Sequence, residues 1–495
     1  LNERLVVQIV PVHWGRVGLC KQKSRTAEAG DRCSNGEKKM STPYSAASTA
    51  SPEQVIARIE RLPVSWWQVK TRVIIGTATF FDAFDALAIA SVLPAIVPLW
   101  KIAPPQIGLL ISAGFLGQLL GALFFGWIAE RYGRITGMVW SIATFAVMSL
   151  VCAFAWDYQS FLVFRLIQGF GLGGEVPIAA VYISELAQSK SRGRFVMLYE
   201  LIFPVGIVAA SLLGLWIVPT LGWQYMFVFG AIPAVLVLFL RRVLPESPRW
   251  LAGTGRLAEA ETALATIERE TEKAFGQPLP PPQAAIKLDA KPASLSDLFG
   301  PLYLRRTLVV WLIWFTSYLV NYGLAIWMPT VYRTVFKLPL AVSLQYGLIT
   351  TAIGFVGAAI AAVIIDKIGR KHLFAGAFAG GAAALLMLST LSDPTPEQVL
   401  IYISIANFFV NAINLGVYLY TPELYPTRVR ALAVGTATAW LRLASMIGPT
   451  TVGLLIASGL QSVFLSFGLV ALITAIVTAL FAVETKKRLL EQVSP

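Results

Sequence analysis

Charge is scarce in this 495-residue chain: 14% of its residues are Asp, Glu, Lys or Arg and 56% are hydrophobic, whereas soluble domains carry roughly 25% charged residues. That composition argues against a soluble enzyme. Cysteine is scarcer still. Cys20, Cys33 and Cys152 form no close pair, so neither a disulfide framework nor a cysteine zinc site is available. Only His13 and His372 carry imidazole, neither in the interior of a long apolar run, which argues against a histidine metal site or proton relay. No nucleophile and base pair is visible. The expectation is therefore no enzyme activity, no cofactor and no metal, with any proton traffic left to carboxylates.

What the chain has in abundance is long apolar runs. A helix needs about 20 apolar residues to cross a bilayer, and about twelve such runs occur, near 73–97, 105–129, 135–156, 160–184, 195–217, 223–244, 307–331, 343–365, 372–391, 397–420, 431–457 and 462–483. The two-residue alternation of a membrane β-barrel is absent, so the fold class is an all-α polytopic membrane protein with 12 transmembrane helices. Of the 40 Lys and Arg, 35 fall in the tails and alternate loops, and only Lys101, Arg333 and Lys337 fall on the other side; Arg165 and Arg442 lie inside runs. Basic residues collect on the cytoplasmic side, so both termini are expected there, in a plasma (inner) membrane. The formal charge of +13 then reflects topology, and no nucleic-acid partner is expected.

The organisation predicted is a tail over 1–70, a six-helix bundle over 71–244, a cytoplasmic linker over 245–306, a second bundle over 307–484 and a tail over 485–495. The first methionine is Met40, and residues 1–39 are expected to precede a native start there or to form an extension. The linker holds a helical stretch followed by the stiff run QPLPPPQ.

The two halves repeat one another. After the second run stand Gly126, Glu130, Arg131, Gly133 and Arg134; after the eighth stand Asp366, Lys367, Gly369 and Arg370, the acids 236 residues apart. Glu185 with Arg192, after the fourth run, recurs as Glu423 with Arg430 after the tenth, 238 apart. Motifs recurring at nearly one offset indicate duplicated halves that rock around a central site. On these residues the chain resembles the major facilitator superfamily over about residues 55–490. The loops fit G-x-x-x-[DE]-[RK]-x-G-R, with Ala362 for the first glycine of the second copy. PESPRWL at 245–251 and ETKKRLLE at 484–491 are similar to signatures of the sugar-porter-like branch. The expected role of the loop residues is to clamp helices in one conformation rather than to touch substrate.

Six ionisable residues lie well inside runs, away from their ends: Asp82, Asp85, Arg165, Glu175, Glu200 and Arg442. Each costs roughly 2.5–3.5 kcal/mol to insert, which makes them functional candidates. FDAFD and RLIQGFGLG resemble the segments of proton-coupled sugar porters in which a first-span aspartate pairs with a fourth-span arginine. The resemblance implies that Asp85 and Arg165 carry proton coupling, with Asp82 beside them; the alternative is a permanent structural ion pair. Arg442 falls near the midplane, where it either pairs with a spare carboxylate or grips a substrate carboxylate in bidentate fashion. Glu175 and Glu200 lie near Arg192 and Arg194 in sequence-derived depth, and gating, packing or substrate contact all fit them. Gln168, Asn321, Tyr322, Trp327, Asn411, Asn414 and Tyr418 are the further candidates for a substrate site.

The sugar-porter pattern is incomplete. Its fifth-span Gln corresponds to Glu200, its seventh-span Gln pair to Thr316 and Ser317, and its tenth-span Trp to Tyr418. RIERLPVSWW, DAFD, LGGEVPIAAVYISE and RGRFVMLYE instead resemble niacin and aromatic-acid proton symporters. The expectation is a monomeric, proton-coupled importer of a small organic anion, nicotinate-like or benzoate-like. Sugar symport or export of an organic compound is the alternative, and a transporter-like nutrient sensor is the remote one.

Overall fold

Caps written in the sequence open several helices. The Asp157 carboxylate accepts from Ser160 N at 2.8 Å to start the helix Tyr158–Leu186, and Thr395 with Gln398 forms a capping box around Pro396 to start the helix Pro396–Glu423. The computed structural model describes residues 51–63, 65–188, 202–282 and 294–486, all of whose regular elements are helical. In chain order they are α1 (Pro52–Glu60), α2 (Trp66–Trp100), α3 (Pro104–Tyr132), α4 (Arg134–Cys152), α5 (Tyr158–Leu186), α6 (Ile202–Thr220), α7 (Gln224–Gly230) and α8 (Pro233–Val243). Then come α9 (Pro248–Gly253), α10 (Leu257–Phe275), α11 (Leu304–Thr334), α12 (Leu340–Ile368), α13 (Arg370–Ser389), α14 (Pro396–Glu423), α15 (Thr427–Leu455) and α16 (Leu460–Phe481), with short 3₁₀ turns at Leu295–Phe299 and Ile456–Ser458.

Eleven helices among the described residues are long and apolar enough to span a membrane. The run expected at 223–244 is instead two short helices, α7 and α8, meeting at Ala231 and Ile232. Pro233 has no N–H to continue the ladder, which places the break there. Within the first half, glycines bring backbones together: a Cβ on Gly169 would fall on the Gly114 carbonyl, and one on Gly121 on the Phe170 carbonyl. This is the close packing of α3 on α5 that the small residues of α5 predict.

The repeat reaches beyond the loop motifs. Lys101 and Lys337, which end α2 and precede α12, both take left-handed backbone angles, φ 50° and 56°. Non-glycine residues seldom adopt this conformation, and here it recurs at the same place in each half.

At the end of the molecule opposite the loop motifs the halves are sealed. A Cβ on Gly108 of α3 would lie 3.0 Å from Pro449 O of α15, and one on Gly453 would lie 2.7 Å from Pro104 O. Ser112 donates to Met446 O at 2.5 Å and shares a hydrogen bond with Thr450 at 2.6 Å. Trp327 donates from Nε1 to Pro449 O at 3.0 Å.

Candidate functional site

The loop motifs build two copies of one cluster. In the first half, Arg134 Nη2 pairs with Glu185 Oε1 at 3.0 Å, and Glu246 accepts from the backbone N–H groups of Arg134 and Ile135 at 2.8 and 3.2 Å. In the second half, Arg370 Nη2 pairs with Glu423 Oε1 at 3.0 Å, and Glu484 accepts from Arg370 N and Lys371 N at 3.0 and 3.1 Å. Each carboxylate thus caps a helix, α4 or α13, whose first turn leaves N–H groups unpaired. The preceding glycines, Gly133 at φ 115° and Gly369 at φ 101°, turn the chain where an L-residue would be strained, and a Cβ on either would strike the capping glutamate.

The other motif residues are peripheral. Asp366 pairs with Arg370 at 2.7 Å, and the Lys367 carbonyl accepts from Lys486 Nζ. Arg131 lies over the Tyr132 ring, Glu130 contributes its carbonyl to Trp250, and nothing approaches a Cβ built on Gly126. Arg430 donates to Tyr425 O at 3.4 Å, while Glu423 pairs with Arg370 and accepts from Thr485. Glu200 and Arg192 lie outside the described residues. Glu246 lies in PESPRWL and Glu484 opens ETKKRLLE, and their 238-residue separation is the signal that marks them as equivalents.

Two polar groups lie inside the helices. In the first, Gln168 of α5 stands between Asp85 and Arg165: its Oε1 accepts from Arg165 Nη1 at 2.6 Å, and its Nε2 donates to Asp85 Oδ2. The expected direct contact of Asp85 with Arg165 is therefore replaced by an amide bridge. Gln168, a substrate candidate in the sequence, is fully buried there between Asp85 and Arg165. Ser149 of α4 donates to Phe227 O at 2.9 Å and contacts Asp85 Oδ1 at 3.5 Å, while the Arg165 guanidinium lies over the Phe227 ring. Glu175, also buried, accepts from Thr79 at 3.0 Å.

The second group joins the halves. Arg442 of α15 donates to the neutral amide of Gln118 on α3. Asp82 on α2 and Tyr322 on α11 interact electrostatically with Arg442 and with each other. Among the described residues no carboxylate lies within ion-pair distance of Arg442. Beside this group runs a column of rings: Tyr418 to Trp314 at 4.7 Å, Trp314 to Tyr318 at 5.8 Å, Tyr318 to Tyr322 at 5.9 Å and Tyr322 to Phe115 at 5.1 Å between centroids. Three of these rings recur every fourth residue on one face of α11. That spacing was the available signal for Trp314 and Tyr318; Gln118 and Phe115 gave none.

Three expected lining residues are spent elsewhere. Trp327 belongs to the seal, 1% exposed. Asn321 donates to Asn411, which donates to Asn407. Thr316 bonds to Thr474 and Ser317 to Trp314 O, inside helix contacts. Asn414 is half-buried in α14, with its side-chain oxygen unbonded.

The comparisons agree on one family. The family described as "Sugar (and other) transporter" matches residues 53–495. The niacin transporter NiaP of Acinetobacter baylyi is 32% identical over 447 residues, covering 89% of this chain and 99% of that protein. The synaptic vesicle 2-related protein of Xenopus laevis is 29% identical over 456 residues, covering 88% of this chain and 82% of its own. The xylose transporter XylE from E. coli, in a partially occluded inward open conformation, has the same fold with a TM-score of 0.67 at 19% identity, covering 86% of this chain and all of that one. Duplicated loop clusters, paired six-helix halves and a polar centre thus meet in a chain that belongs to the sugar-porter-like branch of the major facilitator superfamily, a multi-pass membrane transporter and not an enzyme.

Proposed function

We propose that this transporter moves a small aromatic monocarboxylate, of the nicotinate or benzoate kind, together with protons, inward across the plasma membrane. The observation that carries the reading is Arg442. It is a guanidinium at mid-helix, bonded to a neutral amide and flanked by an aromatic column. A planar acid offers a carboxylate for the fork and a ring for the aromatic faces. The Acinetobacter relative, by name a niacin transporter, supports the same substrate class. Sugar recognition, which the xylose-transporting fold neighbour keeps in view, has less support, since the amides of Asn321, Asn407 and Asn411 bond to one another and to the Thr350 carbonyl.

Charge balance supplies the coupling. Asp82, Asp85, Arg165 and Arg442, all ionised, sum to zero. A bound monocarboxylate adds one negative charge in a low-dielectric interior, and one proton on Asp82 or Asp85 restores the balance. The two aspartates lie on adjacent turns of α2, Asp82 facing the anion site and Asp85 facing α5. Occupancy at Arg442 is thereby linked to the protonation of α2, and through it to the packing of α2 on α5. With both termini cytoplasmic, the sealed end is the outer one.

The test is uptake of labelled nicotinate and benzoate into proteoliposomes under an inward proton gradient, comparing wild type with Asp85→Asn and using glucose as control. The expected result is gradient-stimulated uptake of the acids, lost in Asp85→Asn. Accumulation of glucose but of neither acid refutes the assignment.

A further inference from the structure

We propose that Gln168 is the positioning residue through which Asp85 and Arg165 act on each other, a neutral amide that carries the protonation state of α2 to α5. The proposal deepens the proton-coupling reading above and rests on it. A guanidinium has donors only, so it fixes the amide oxygen toward Arg165 and leaves the amide nitrogen facing Asp85. Both contacts are in place: Arg165 Nη1 to Gln168 Oε1 at 2.6 Å, and Gln168 Nε2 to Asp85 Oδ2. The amide is fully buried, with Cys152 Sγ also 3.5 Å from Oε1. Below it, Gly169 packs on the Gly114 backbone, and Arg165 Nη2 is 3.3 Å from where a Cβ on Gly114 would stand, so the guanidinium has little room to swing.

The consequence differs from that of a contact ion pair. A direct Asp–Arg bridge loses its attraction when the acid is protonated, and both partners come free. A bridging amide donates to the carboxylate and also to the carbonyl oxygen of the protonated acid. The bond therefore persists but weakens, because a charge-assisted hydrogen bond is roughly twice as strong as a neutral one. Protonation then loosens α2 against α5 without releasing Arg165, which stays bonded to Gln168. The ionisable groups facing Asp85 are Arg165 on α5, Cys152 on α4 and, on α2 itself, Asp82, beyond which lie Tyr322 on α11 and Arg442 on α15. In sequence, α6 carries no ionisable residue, the ionisable positions of α3 and α8 fall in their last turns, and Tyr225 of α7 is exposed.

The test reads the carboxyl group itself. The full-length protein in lipid nanodiscs is titrated with acid while infrared difference spectra follow the C=O band of protonated carboxyls, with Asp85→Asn identifying the Asp85 band. In Gln168→Leu the band is expected at higher frequency, because its C=O has lost a donor, with a titration midpoint displaced by about one pH unit, the tenfold effect of one hydrogen bond to a charged group. Gln168→Met is close in size, neutral and has no donor toward Asp85; it carries the same expectation if the leucine variant folds poorly. A band and midpoint unchanged from wild type in the variant that folds overturns the proposal. In proteoliposomes, Gln168→Leu is expected to lose gradient-driven nicotinate uptake by about tenfold while nicotinate counterflow, which needs no net proton movement, persists. A wild-type protein that moves neither nicotinate nor benzoate defeats the substrate reading, and the infrared titration still decides the role of Gln168.

Discussion

Replacing Arg442 with Gln removes the guanidinium that bonds α15 of the second half to α3 of the first. In the proposed complex it gives two charge-assisted hydrogen bonds to a substrate carboxylate. A hydrogen bond to a charged group contributes about 1.5–3 kcal/mol, and the second of a bidentate pair adds less than the first, so a loss near 3 kcal/mol, or roughly a hundredfold in affinity, is expected. Arg442→Lys keeps the charge but loses the fork, and about a tenfold loss is expected. The diagnostic comparison is nicotinate against nicotinamide, which share a ring and differ in charge. Calorimetric titration of the nanodisc-embedded protein should show the acid preferred by wild type and that preference abolished in Arg442→Gln. Because Asp82 then loses the cation it faces, the double variant Asp82→Asn with Arg442→Gln serves as the folding control. An Arg442→Gln protein that still prefers the acid by the wild-type margin refutes the assignment.

Gly108→Val should open the sealed end. A Cβ at Gly108 already lies 3.0 Å from Pro449 O, and overpacking of this kind costs about 1–3 kcal/mol; spin labels on the adjoining ends of α3 and α15 should report longer distances, and an unchanged distribution would count against a close-packed gate. The two capping glutamates should respond to pH in opposite ways. Burial opposes ionisation of Glu484, but the N–H groups of Lys486, Arg370 and Lys371 outweigh it and hold the carboxyl below its usual range. Its stabilisation is then present above the unfolded carboxylate range and lost as pH falls, so Glu484→Gln should lower the melting temperature at pH 7, with the gap closing in acid. For Glu246, burial wins over the N–H groups of Ser247, Ile135 and Arg134 and raises the carboxyl above its usual range. Its ionised form is disfavoured in the fold, stability is gained as it protonates, and Glu246→Gln should change the melting temperature little at pH 7. Identical melting responses of the two variants would contradict this account.

Hydropathy and loop offsets made most of the helices legible, because a bilayer demands apolar length and a duplication preserves spacing. The motif residues Arg134 with Glu185, and Arg370 with Glu423, come together as equivalents in the two halves. The break between α7 and α8 does not show in hydropathy, since residues 225–240 are apolar on both sides of it and Pro233 is the sign of it. Side-chain direction was harder to read. Gln168 and Arg442 both count as substrate candidates in the sequence; the structure turns Gln168 toward Asp85. Trp327 was expected at the cavity, and the tight approach of α15 at Gly453 instead draws it into the seal. Depth along a helix follows from residue number, whereas the facing partner depends on how helices from distant parts of the chain pack.

The central claim, that one proton accompanies each aromatic monocarboxylate, is tested most directly by recording lumenal pH and labelled nicotinate together in proteoliposomes, with protein-free liposomes subtracted. The account predicts lumenal acidification that tracks nicotinate entry with one proton per anion, and neither signal in Arg442→Gln. Nicotinate entry at the wild-type rate with no accompanying proton movement would contradict it.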